Sequence, residues 1–241
     1  MLSLQDGNGF ITSDGIKFRH PKITDIAKLT EDIYIWWMFS WVRNKYDLIH
    51  QLWINNVDFE NITNDEIIIG AVESNPKLFI DILMYFTNII GAELKYNQEY
   101  EMNLIYYNTK ENLSLRPILP NIMDEIALFI RTIHEFKNSE RRIFASQSDK
   151  KRILDNEVED LKFNEKFNRN KLGYVSTMRR ALVVYNKRTW EYTSSLFIYQ
   201  LITEFNGINK LEDSNRLYNG IYSGTVNYDK INKKMLDWIN N

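Results

Sequence analysis

Apolar residues fall three and four positions apart along most of this chain, and the places where that spacing fails are as informative as the places where it holds. Ile26, Ala27, Leu29, Ile33, Trp37 and Trp41 carry a helical stripe just after Pro21, with Thr24-Asp25 placed to cap it. Leu48, Ile49, Leu52 and Trp53 predict a second helix over 46–55, ended by Asn55-Asn56. Thr63-Asn64-Asp65-Glu66 is a start signal ahead of Ile67-Ile68-Ile69. Pro76 opens a longer helix with Leu78, Phe79, Ile82, Leu83 and Phe86 on its inner face. Ile126, Phe129, Ile130 and Ile133 set a helix over 122–136, and Val175, Met178, Leu182 and Val183 give core character to 172–185. Between these two, residues 137–171 are charge-dense. Leu154, Val158 and Leu161 are the only short apolar stripe there, which predicts a long exposed helix or arm. The last stretch, from Trp190, holds an apolar helical run over Leu196–Ile202, a compact turn at Gly220-Ile221-Tyr222-Ser223-Gly224, and a terminal amphipathic helix with Leu236 and Trp238.

Two segments change period. Phe10-Ile11 lies between the turn signals Asp6-Gly7-Asn8-Gly9 and Asp14-Gly15, and Ile16 to His20 alternates apolar with basic, so residues 1–21 predict a small β element. Leu94-Lys95-Tyr96 and Met102 to Tyr107, separated by Asn97-Gln98-Glu99, predict a β-hairpin near 92–107. The expected fold is therefore mainly α, with these two β contributions. Pro117 and Pro120 bound a loop, the best place for a division into an α+β part over 1–116 and a helical part over 117–241.

Composition narrows the function classes. The chain has 241 residues, enough for a sizeable core, and is 44% hydrophobic and 26% charged, so wholesale disorder does not fit. With a net charge of −2 and interleaved signs it lacks the clustered cations that grip phosphates, so nucleic acid is not an expected partner. There are no cysteines, which excludes disulfides, thiolate metal sites and cysteine nucleophiles. The amino terminus lacks a basic and then apolar leader pattern. The longest apolar run, Ile33 to Val42, is well short of the roughly 20 residues that span a bilayer, so no membrane role is expected.

Candidate chemistry is sparse. His20, His50 and His134 lie far apart without carboxylate or second-histidine partners at helical or strand spacing, and read as surface or half-buried rings rather than ligands. Asp81 with Glu93-Leu94-Lys95 has the pattern of a metal-dependent nuclease site, although Asp81 falls inside a predicted helix. Asp155, Glu157, Glu159 and Asp160 alternate with Lys150, Lys151, Arg152 and Lys162, as a solvated helix face does. Gly7 and Gly9 lack the following Lys-Ser/Thr of a phosphate loop, and Ser194-Ser195 lacks the glycine-flanked elbow of a nucleophile. Trp36, Trp37, Trp41 and Trp53 sit among aliphatics rather than in a basic groove, which favours core packing over base stacking. No cofactor is expected.

One resemblance goes further. The run Asn219 to Asn227, then Asp229-Lys230-Ile231 and Leu236-Asp237-Trp238-Ile239, resembles the carboxyl end of a family of phage tail-morphogenesis proteins of low-GC Gram-positive hosts. Ile198-Tyr199-Gln200, Gly15-Ile16-Lys17 through Pro21 to Asp25-Ile26, and Val57 to Thr63 are similar to the same family in the same order. One departure is the tryptophan that the family places just before its Leu-x-Ile-Tyr-Gln helix. Ser194 or Ser195 stands there, with Trp190 earlier. The resemblance implies a non-enzymatic assembly chaperone that covers the apolar stripes of a tape-measure or other tail protein, in the host cytoplasm during infection. A virion structural protein and a small metal nuclease are the rival readings, and self-association stays open. The expected contact residues are Leu154, Val158 and Leu161 on the charged helix, Ile198, Tyr199 and Ile202 on the later one, and Tyr222 and Trp238. The plainer alternative is that both helices pack within the chain.

Overall fold

The structure, a computed structural model, describes residues 9–42, 44–136, 141–167 (side chains to 162), 173–223, 225–227 and 231. It opens with two short antiparallel strands, β1 (Phe10–Ile11) and β2 (Lys17–Phe18), with Phe10 opposite Phe18. Gly15 makes their turn at φ 91°, a left-handed conformation that a side chain would strain. The stripe from Ile26 to Trp41 is carried on two helices, not one. In α1 (Ile23–Leu29) the cap is Asp25, whose carboxylate accepts the Lys22 N–H at 3.2 Å. Thr30, at φ 71°, then breaks the ladder before α2 (Glu31–Val42), with no glycine or proline to signal it. The second predicted helix is shorter than its pattern: α3 is Ile49–Ile54, ending where Asn56 turns at φ 56°.

The next two starts follow their signals. Thr63 Oγ1 accepts the Glu66 N–H at 3.2 Å and the Glu66 carboxylate accepts the Thr63 N–H at 2.7 Å, a reciprocal cap on α4 (Asn64–Ser74). Pro76 is the first residue of α5 (Pro76–Phe86), where its missing N–H would have had no helical partner. The hairpin is longer than expected, β3 (Ile89–Asn97) with β4 (Met102–Thr109), and it gains a third strand, β5 (Arg116–Pro117), in the order β3-β4-β5. Pro117, read from sequence as the border of a loop, pairs opposite Tyr106 at the outer edge of the sheet, where a residue without an N–H is tolerated.

Five helices complete the described chain: α6 (Pro120–Ile133), α7 (Gln147–Phe167), α8 (Tyr174–Tyr185), α9 (Trp190–Ser195) and α10 (Ile198–Tyr222). The architecture is mainly α with two small antiparallel sheets, as the hydrophobic pattern predicts. α10 continues through Gly220, inside the expected turn. The chain closes only afterwards, when the Thr225 and Val226 N–H groups donate to the Gly220 carbonyl at 2.9 and 3.0 Å. The predicted terminal helix with Leu236 and Trp238 lies outside the described residues.

Aromatic side chains set the core. Trp41 packs on Phe79 with ring centroids 5.3 Å apart, and Trp37 on Phe86 at 5.5 Å, locking α2 against α5. Each such pair adds about 0.5–1.5 kcal/mol beyond the area it buries. α2 also lies on α4 and α6, α5 lies on β3, and α8 contacts both α9 and α10. One apolar cluster takes in residues on both sides of position 117, including Ile105, Ile118 and Ile208. A long-range cap ties the carboxyl helices to the rest. The Glu31 carboxylate accepts the Ser176 N–H and hydroxyl at 3.2 and 2.6 Å at the start of α8. Gly173 lets it approach, since a Cβ there would meet Glu31 Oε1 at 2.3 Å.

Candidate functional site

α7 is too polar to belong to the main core, and a separate small cluster seats it. Leu154, fully buried, packs with Ile49 of α3 and Phe59 of the following loop, and Leu52, Trp53 and Phe144 close around them. The Phe59 and Phe144 rings meet edge to face at 6.4 Å. Along the predicted stripe, burial fades. Leu154 is 0% exposed, Val158 7% and Leu161 46%, so the apolar face of α7 runs out of its seat. Ile54 and Val57 are 52% and 38% exposed nearby in sequence to the seat. Between α7 and the 53–60 segment lies a groove of about 620 Å³, lined among others by Ile54, Val57, Phe59, Lys150, Val158 and Lys162.

Polar contacts hold α7 over this seat. Glu157 accepts from Arg142 at 2.6 and 3.1 Å, and His50 Nε2 lies 2.6 Å from the same carboxylate. The Arg142 hydrogen bonds hold the Glu157 carboxyl below its ordinary range, and His50 adds to this against the effect of burial. An ionised carboxylate only accepts, so His50 Nε2 carries the proton. The Trp53 indole N–H donates to Asp155 at 2.8 Å. Lys150 is buried with its ammonium 3.4 Å from Glu60 and 4.2 Å from the centre of the Phe59 ring. A buried cation so placed is compensated by a carboxylate and an aromatic face. The acidic run read from sequence as a solvated face is thus in part a latch. The signal was missing because His50 and Trp53 lie more than a hundred residues from their partners.

The other expected contact residues fall differently. Ile198 and Ile202 are buried in the main cluster, and Tyr199 packs partly buried against it. Tyr222, at the end of α10, is 85% exposed, and Trp238 lies outside the described residues. Among the described residues expected to make contacts, Leu161 and Tyr222 stand exposed.

Trp53 aside, the other candidate chemical groups lie apart from this groove. His20 and His134 are core rings rather than surface or half-buried ones. His20 stacks on Phe197 at 5.1 Å and neither of its ring nitrogens has a hydrogen-bond partner. His134 Nε2 pairs with the Tyr34 hydroxyl at 2.9 Å. Burial lowers the first to about 4, and lowers the second to about 3, with the neighbouring His20 contributing. Glu93 pairs with Lys95 at 2.6 Å, and Asp81 lies on the exposed face of α5. Among the described residues no group of three or more His, Asp or Glu side chains is placed to hold a metal ion. Trp37 and Trp41 are buried and Trp36 lies against the core, whereas Trp53 borders the α7 groove. The Ser194 hydroxyl donates to the Trp190 carbonyl at 2.8 Å and that of Ser195 to the Tyr192 carbonyl at 2.7 Å. Among the described residues, no helix is long and apolar enough to cross a membrane.

Comparison of the chain with protein-family models, with characterised proteins and with solved structures gives no match.

Proposed function

We propose that this protein is a non-catalytic assembly factor of phage tail morphogenesis, which holds an apolar helical segment of a tape-measure or other tail protein in the groove beside α7. The partner class comes from the resemblance of the segments around Ile198-Tyr199-Gln200 and Asn219 to Asn227. The place of contact rests on one observation: next to the fully buried Leu154 on the α7 stripe, Val158 lines an open groove whose other wall carries the exposed Ile54 and Val57. A partner helix bringing its own apolar stripe would cover Val158, Ile54 and Val57. The Arg142–Glu157 pair of the latch is part-exposed and so contributes little, which lets α7 give way to a partner and return, as a chaperone needs.

Co-expression with the cognate tape-measure protein tests this. The wild-type chain should raise the soluble fraction of that protein and co-purify with it, and the double change Ile54→Asp with Val57→Asp should weaken binding roughly tenfold or more. Unchanged binding by the double variant would remove the groove from the account. Mass spectrometry of purified particles separates the structural rival, since stoichiometric copies there would favour a tail component over a chaperone. Magnesium-dependent DNA cleavage lost on Glu93→Ala would favour the nuclease instead.

A further inference from the structure

We propose that β3 is a dimerisation edge, at which a second copy of this chain pairs antiparallel about a two-fold axis through Leu94. β3 is the outer strand of its sheet, with β4 on one side only. Its regular part, Gly91–Asn97, pairs residue for residue with β4 from Asn108 to Met102. Among the described residues, no other backbone or side-chain group hydrogen-bonds to the backbone of residues 90–96. Beside this free edge stand Ile90, Lys95 and Tyr96, all exposed, Tyr96 at 61%. A free strand of this length is a template for another strand, and natural edges are commonly blocked or paired.

Geometry and charge select the occupant and its register. In an antiparallel pair, residues whose N–H and C=O groups point outward face one another, and these alternate along a strand. A two-fold axis between two copies of β3 must therefore pass through a residue, not between residues. An axis at Glu93 would set Glu93 against its own copy, and an axis at Lys95 would do the same to Lys95. Like charges directly opposite are destabilising. An axis at Leu94 instead places Glu93 opposite Lys95 of the second copy, twice by symmetry, and the exposed Tyr96 over the small Ala92. It also uses the whole regular segment, because Gly91–Asn97 is centred on Leu94. Within one chain Glu93 and Lys95 already pair at 2.6 Å, half exposed, so each needs only to turn to its counterpart across the axis. The result is an isologous contact that joins two three-stranded sheets into one. This inference stands apart from the α7 groove and does not depend on the tail-assembly reading.

Sedimentation equilibrium on the full chain tests it. The wild type should dimerise. Glu93→Lys alone and Lys95→Glu alone should each weaken the dimer by roughly tenfold, since each sets two like pairs across the axis. The double exchange E93K/K95E should restore it, and both sites are exposed enough that circular dichroism should show unchanged folding. Because the chain has no cysteine, Leu94→Cys on the axis should give an interchain disulfide under mild oxidation. Tyr96→Cys should not, as its copy lies about four residues, roughly 13 Å, along the strand. A wild type monomeric at high micromolar concentration would overturn the proposal. So would a double exchange as weak as the single ones, or disulfide formation equal at the two cysteine positions. An extended segment of another protein at this edge would show as a monomer whose β3 amides become protected only when that protein is added.

Discussion

Two packing regimes sit side by side in this molecule. Around α2, α5 and β4, buried Trp37, Trp41, Phe79, Phe86, Leu104 and Ile105 interlock with few polar atoms among them. Around α3 and α7, one buried leucine, one isoleucine and one phenylalanine form the seat, and carboxylates, an arginine, a histidine and a buried lysine do the rest. The first region resists change because close-packed apolar contact is lost all at once. The second has a seat of few apolar side chains and is completed by part-exposed ion pairs that are individually weak, around one buried lysine. Different parts of one chain can therefore differ in the free energy at which they open, and the lower end is where binding elements are drawn from.

That contrast can be broken most forcefully from the core side. Phe79→Ala should remove about 3–5 kcal/mol in one cooperative unfolding transition, read by urea denaturation. Leu154→Ala, at the centre of the small seat, should cost less, about 2 kcal/mol, the low end for such a change. Its effect should be confined to α7 and leave the midpoint of the main transition nearly unmoved. A shift as large as that of Phe79→Ala would merge the two regions into one. The buried histidines sharpen the comparison through pH. Their folded values lie below the ordinary 6.5, at about 4 for His20 and about 3 for His134. The unfolded chain thus takes up protons below pH 6.5 that the folded core refuses. Stability should be level above pH 7 and fall as pH drops from about 6.5 toward 4, by about 1.4 kcal/mol per pH unit for each histidine. His134→Phe should reduce that slope by about half, at a cost of about 1–3 kcal/mol for leaving the Tyr34 hydroxyl unpaired. Smallest of all, Glu157→Gln should cost about 0.2–1 kcal/mol, since the side chains it pairs with, Arg142 and His50, keep part of their surface in water. The change should appear as faster opening of α7 at low salt.

Local signals carried the helices and the hairpin. The Thr63–Glu66 cap, Pro76 at a first turn, and the alternation around Leu94 each act within a few residues, and the structure places an element at each. What the pattern could not carry was long-range. Thr30 breaks a continuous apolar stripe without glycine or proline, next to Glu31, which caps a helix far along the chain. Pro117 looks like a loop border until β4 is there to give it an edge. His20 and His134 read as surface or half-buried rings because the aromatic partners that bury them, Phe197 and Tyr34, are remote in sequence. The same holds at the candidate site. Leu154, Val158 and Leu161 were visible as a stripe, but nothing local marks His50, Trp53 or Phe59 as what lies beneath it.

Native-state hydrogen exchange, read amide by amide over α7 and over α5, tests the central claim most directly. α7 should open on its own, at a free energy well below that of α5, and Glu157→Gln should lower it further without touching α5. Adding the cognate tail protein should raise protection over α7 and 53–60 alone. Equal opening free energies for α7 and α5, unchanged by Glu157→Gln and by the partner, would contradict it.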